Sequence, residues 1–170
     1  SGKTMQCLGD DKKDIGISIK NDIYAQEQKD FISGFVNDVY KIMYNAAYED
    51  KAYVFNPEFT EISEDTSITS EEAVKRVVDV NSLADMYIIS ELTCDADIYW
   101  SSFYMSADFG AEGTKKLVFE APWDFDSAMG NKDRCADGTG FYAANIVPDV
   151  NGGPEGNGEY VTINPWLAVI

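Results

Sequence analysis

Histidine is absent from all 170 residues. That excludes Ser-His-Asp and Cys-His nucleophiles and His-ligated zinc within the chain. Cations are scarce too: 13 Lys plus Arg stand against 30 Asp plus Glu, a formal net charge of −17. The deficit argues against a nucleic-acid groove or an anionic-lipid surface, since each needs clustered positive charge. Cysteine is limited to Cys7, Cys94 and Cys135. An odd count at wide spacing fits neither a zinc site nor a disulfide framework; the thiols read as inert, with a single Cys94–Cys135 pairing left open. No apolar run reaches the roughly 18 residues of a membrane span. The chain opens without an initiator Met or a signal-peptide pattern, and residues 163–170 stop inside an apolar run. The chain therefore reads as a fragment of something larger. The chemistry left to such a chain runs on carboxylates, hydroxyls, lysines or a hard metal ion.

Hydrophobic residues make up 45% and aromatics 13% of the sequence, enough for a sizeable core rather than a disordered tract. Ile15-Gly16-Ile17-Ser18-Ile19 alternates as a strand does, and Lys20-Asn21-Asp22 reads as a turn. Over residues 25–48 the period becomes helical. Phe31, Phe35, Val39, Ile42 and Ala46 share one stripe, with Ile32, Val36 and Met43 beside it. Residues 52–67 read as a connector. Thr69 followed by Glu72 is a capping box and predicts a helix over 70–78. Asp79-Val80-Asn81-Ser82 interrupts it. Asn81 or Ser82 then caps a second helix that carries Leu83, Met86, Tyr87, Ile88, Ile89 and Leu92. Being apolar on most sides, that helix is expected to be buried. Strands come next at 102–105 and 116–120, joined through Asp108-Phe109-Gly110-Ala111-Glu112-Gly113 as a hairpin loop. Residues 130–158, rich in Gly, Asn and Asp, read as a long irregular loop.

Two acidic clusters flank the hairpin. Cys94-Asp95-Ala96-Asp97 precedes it and Pro122-Trp123-Asp124-Phe125-Asp126 comes after it. A hairpin returns the chain to its starting end, so the clusters should meet at one end of one sheet. Converging carboxylates repel unless a cation neutralises them or one stays protonated. A hard dication such as Mg²⁺ suits oxygen ligands and retains waters and substrate phosphates. A base Asp before a hairpin and a metal-binding Asp after it is the layout of the catalytic half of kinases. Solvated loop acids, with Asp126 merely capping a short helix, are the plain alternative.

At these residues the chain resembles the spore-coat protein H (CotH) kinase family. The helix starting at Asp79-Val80-Asn81-Ser82-Leu83, the loop Asp97-Ile98-Tyr99-Trp100-Ser101-Ser102 and the segment Pro122-Trp123-Asp124-Phe125-Asp126-Ser127 carry the similarity, which covers roughly residues 15–131. The resemblance implies an α+β, atypical protein-kinase-like fold, mainly the larger lobe, with helices around a small antiparallel hairpin. Residues 1–170 would form a partial kinase-like domain whose N-terminal lobe is largely missing. It implies phosphate transfer from ATP, with Mg²⁺ or Mn²⁺, to Ser or Thr hydroxyls of secreted or cell-surface bacterial proteins, among them spore-coat and cellulosome-type assemblies. By position, Asp97 would orient the acceptor hydroxyl and Asp124 or Asp126 would hold the metal. Ser102 stands five residues after Asp97, where protein kinases place a metal-binding Asn. Trp123 would be a nucleotide wall or, as large aromatics more often are, a packing residue. Asp95 occupies a position where the family often has Asn. No Gly-rich hairpin with a strand Lys and helix Glu is visible, and Lys20 comes too late to serve as the nucleotide Lys.

Other classes fit less well. Asn131, Asp133 and Asp137-Gly138 suggest a cation loop, but the spacing fails the EF-hand pattern. A carboxylate-pair glycosidase would be chemically sufficient, yet nothing selects the pair. The stronger alternative is a degenerate kinase-like module that binds or scaffolds within an extracellular assembly.

Overall fold

The computed structural model describes residues 4–7, 15–95, 102–129, 131, 147–148, 160–161, 166 and 169–170. The chain divides into two units, Ser1–Val78 with Val169–Ile170, and Asp79–Ala168. Among the described residues both combine helices with two-stranded antiparallel sheets, so the class is α+β.

In the first unit, β1 (Thr4–Cys7) pairs with β2 (Ile15–Ser18), Thr4 opposite Ser18 and Cys7 opposite Ile15. β2 matches the expected strand. β1 is not expected from sequence: Thr4-Met5-Gln6-Cys7 alternates, but over only four residues. Helix α1 (Gln26–Glu49) starts at Ala25, which has no capping oxygen. Gln28 compensates: its Oε1 accepts from the N–H groups of Tyr24 and Ala25 at 2.8 and 3.1 Å. The helix ends at Asp50 in the left-handed region, φ 50°, whose carboxylate accepts from Ser70 Oγ at 2.8 Å. Its buried stripe is Phe35, Val36, Val39, Tyr40, Ile42 and Met43, close to the periodicity of the sequence.

The connector expected over 52–67 instead contains a hairpin, β3 (Tyr53–Phe55) with β4 (Ile62–Glu64). The cause is local and aromatic. Phe55 stacks on Phe35 at 5.5 Å and meets Phe59 at 5.3 Å, while Asn56 Oδ1 holds the turn by accepting from Thr60 N at 2.9 Å. Helix α2 (Ser70–Val77) begins where the capping box placed it. Thr69 Oγ1 accepts from Glu72 N at 3.1 Å, and Glu72 Oε2 accepts from Thr69 N at 3.0 Å. It buries Ala73 and Val77.

In the second unit, α3 (Val80–Thr93) is capped by Asp79, not by Asn81 or Ser82. The Asp79 carboxylate accepts from Ser82 N at 2.9 Å. Asp-x-x-Ser offers that cap slightly earlier in the chain, at a residue able to reach the third helical N–H. The expected all-round burial of α3 does not hold. Leu83, Met86 and Ser90 are buried, whereas Ile88 is 59% and Leu92 74% exposed. The helix packs on β6, introduced next.

The hairpin is shorter than expected: β5 (Met105–Ser106) pairs with β6 (Val118–Phe119), Met105 opposite Phe119. Two further bonds lengthen it, from Glu120 N to Tyr104 O at 2.9 Å and from Lys115 N to Asp108 O at 3.1 Å. Gly113 is obligatory in the loop, since a Cβ there would stand 2.2 Å from the Asp108 carbonyl oxygen. Phe119 anchors this unit, in edge contact with Phe103 at 5.6 Å and Trp166 at 6.5 Å. β7 (Val147–Pro148), inside the expected irregular loop, pairs with β8 (Tyr160–Val161) just after it. Apart from these strands, residues 132–160 lie outside the described residues.

Two stability outcomes are expected. Thr69→Ala removes one side of the capping box and lowers unfolding free energy by about 1 kcal/mol in chemical denaturation. Asp65 accepts from Ser67 N and Oγ, and the hydroxyl bond first, then the backbone bond, hold its carboxyl below the usual value. Because the folded pKa is depressed, its contribution is present above the unfolded value of about 4 and is lost as pH falls through the folded one. Asp65→Asn is therefore less acid-sensitive than the wild type below about pH 4, read from denaturation midpoints at stepped pH.

Candidate functional site

Helix α3 ends abruptly. Cys94 adopts φ 54°, and its N–H bonds back to Glu91 and Ser90 carbonyls. Asp95 comes next, 1% exposed, with its N–H on Ser90 O at 3.0 Å. Asp97 and the rest of 96–101 lie outside the described residues. Cys94 is a free thiol; Cys135 is not among the described residues.

The described chain resumes at Ser102, which is left-handed at φ 57° and so is not the strand residue the sequence suggested. Opposite it lies Asp124, also left-handed at φ 63°, immediately before a 3-10 turn at Phe125–Ser127. Ser102 Oγ stands 3.4 Å from Asp124 Oδ2 across 22 residues of sequence. That is longer than a good hydroxyl–carboxylate bond, so the two oxygens are neighbours rather than a tight pair. Two non-glycine residues in this region, side by side, mark backbone held against its preference.

Beyond Asp124 the chain is fastened again. Ala128 N donates to Phe125 O at 3.1 Å, and Met129 N donates at 2.6 Å to the carbonyl of Thr93, the last residue of α3. The segment after the hairpin therefore returns to the end of α3, as the hairpin geometry required. Asp126 is exposed, and its backbone carbonyl accepts from the Asn131 amide. Trp123 is 66% exposed. The expectation of core packing fails for it, since its ring lies at the surface while Phe103, Phe119 and Trp166 make the aromatic contacts of the core.

Among the described residues no group of three or more Cys, Asp or Glu gathers closely enough to hold a metal ion. The oxygens that do meet are those of the Asp124 carboxylate and the Ser102 hydroxyl. Both are hard donors of the kind that bind Mg²⁺ when water and phosphate oxygens complete its shell. The residues thus fit such an ion as part of a ligand set.

Sequence reasoning missed the residues that fix this geometry, Asp79 and Ser82. Asp79 N donates to Leu117 O at 2.9 Å, and Ser82 Oγ accepts from Phe119 N at 3.0 Å. The visible signal was the cap spacing, which located the helix start but not the strand lying against it.

A family model described as CotH kinase protein matches residues 11–170. No curated protein and no solved structure matches the chain. With the match running through both units and across α3, the hairpin and Trp123-Asp124-Phe125-Asp126, the chain belongs to the CotH kinase family.

Proposed function

We propose that this chain contributes the catalytic-loop and metal-binding half of an atypical protein kinase, the larger lobe of a kinase-like domain. It would transfer phosphate from ATP to Ser or Thr hydroxyls of secreted or surface proteins. The observation that carries the reading is the approach of Ser102 Oγ to Asp124 Oδ2 at 3.4 Å. It joins the end of the Asp97 loop to the segment after the hairpin, the two places from which kinases draw their base and metal ligands. Among the described residues no helix is long and apolar enough to cross a membrane.

The geometry favours Asp124 over Asp126 as metal ligand, because Asp124 is the acid beside Ser102. A bound Mg²⁺ or Mn²⁺ would neutralise charge on the transferring phosphate oxygens. Asp124 and Ser102 would hold that cation with oxygen donors. Asp97 would orient the acceptor hydroxyl and receive its proton. The exposed Trp123 ring offers an apolar wall for a nucleotide base. Catalysis of this kind is mainly positioning and charge stabilisation, so a chain without histidine can perform it.

In the full-length protein, ATP with Mg²⁺ or Mn²⁺ raises the melting temperature, and neither component does so alone. Asp124→Asn abolishes this metal-dependent shift. Asp97→Ala keeps the shift and lowers phosphate transfer to a protein acceptor by about a hundredfold or more. An unchanged melting temperature with every ATP–metal pair would overturn the reading. Trp123 supplies a separate signal: metal–ATP quenches tryptophan emission in the wild type, and the quench is lost in Trp123→Leu. A Trp123→Leu protein that quenches like the wild type would remove Trp123 from the nucleotide site.

A further inference from the structure

β6 has two edges, and they are satisfied differently. In an extended strand, successive residues turn their backbone groups to alternate sides. Glu120 N turns to β5 and meets Tyr104 O at 2.9 Å. Leu117 O and Phe119 N turn the other way, where among the described residues nothing longer than a single bridge residue pairs. Their partners are the start of α3. Asp79 N donates to Leu117 O at 2.9 Å, and Ser82 Oγ accepts from Phe119 N at 3.0 Å. The first turn of a helix takes the place of a neighbour strand.

Ser82 has the right polarity for this. Its hydroxyl donates to Asp79 O at 2.8 Å, which uses its single proton within the cap. The lone pairs remain, and Phe119 N–H points at them. Phe119 itself is 3% exposed. Alanine at position 82 would leave a part-buried N–H without its acceptor.

The same helix also holds the far end of the segment, through Met129 N on Thr93 O. From Ser82 to Thr93 the helix rises about 16 Å. The ten steps of chain from Phe119 to Met129 could reach about 33 Å when extended, so this stretch is not taut. Asp124 lies midway along it, five steps from each of its two attachments to α3.

We propose that Ser82 is a positioning residue for the metal site, acting through Phe119 to set where Asp124 stands relative to Ser102. This rests on the assignment of Asp124 as metal ligand. Loss of the clamp should act on metal–nucleotide binding, beyond any loss of stability.

The test compares wild type, Ser82→Ala, Ser82→Cys, Ser82→Thr and Asp124→Asn in the full-length protein. The readouts are the unliganded melting temperature, KM and kcat for Mn²⁺–ATP, and amide hydrogen exchange at Phe119 and Glu120. Ser82→Ala is expected to raise KM about ten- to hundredfold, since small displacements of a positioned group carry penalties of that order. Exchange should quicken at Phe119 and not at Glu120. Ser82→Thr keeps the hydroxyl and brings KM back to within about twofold of wild type, in line with a positioning role. Ser82→Cys, a weaker acceptor of similar size, falls between and serves if the alanine variant does not fold. A wild-type KM in Ser82→Ala or Ser82→Cys, whatever the melting temperature, overturns the positioning role. If Asp124→Asn binds Mn²⁺–ATP as the wild type does while Ser82→Ala is weakened, the metal assignment fails and the clamp acts on another ligand. A wild type without metal-dependent nucleotide binding removes both the reading and this role.

Discussion

The hydrogen bonds between the first turn of α3 and the outer edge of β6 are the constraint on which the second unit depends. A two-residue ladder is too short to hold a strand in register by itself. Asp79 and Ser82 supply the missing edge, and Phe119 anchors the same strand in the core from its side-chain face. Helix and strand thereby become one body. The segment beyond β6, with Trp123, Asp124 and the 3-10 turn, is then placed by an element already fixed to α3.

Much of the architecture was legible in the sequence, and the failures share a cause. Helix α1 and the capping box at Thr69 announce themselves through local period and local chemistry, which is why their positions agree with expectation. The hairpin of β3 and β4 does not, because its stability comes from Phe35, some twenty residues earlier, stacking on Phe55. Sequence does not single out Asp79 as the cap, because Asn81 and Ser82 are equally good capping types, and only the observed bond from Ser82 N to the Asp79 carboxylate separates them. Large aromatics mostly pack, and Trp123, exposed at the surface, departs from that rule. For the site, the described flanks of the hairpin meet at Ser102 and Asp124, while Asp97 lies outside the described residues. Spacing could not reveal the left-handed backbone at Ser102 and Asp124, since neither residue type demands it.

Charge and composition fit together on this scaffold. The chain carries −17 with no histidine, so its acids can be charged in quantity only where water or a cation screens them. Asp124 and Asp126 lie at the surface, where water does this. Among the described residues Asp95 is the exception, a carboxylate buried at the end of α3.

The left-handed backbone at Asp124 also limits how this position can drift over evolutionary time. Most side chains are strained at a positive φ, whereas Asn, Asp and Gly tolerate it. An aspartate codon becomes an asparagine or a glycine codon by a single base change. The easiest steps away from Asp124 therefore preserve the fold while removing the charge. A lineage can lose a carboxylate here in one step and still inherit a well-folded domain, free to be kept for binding alone.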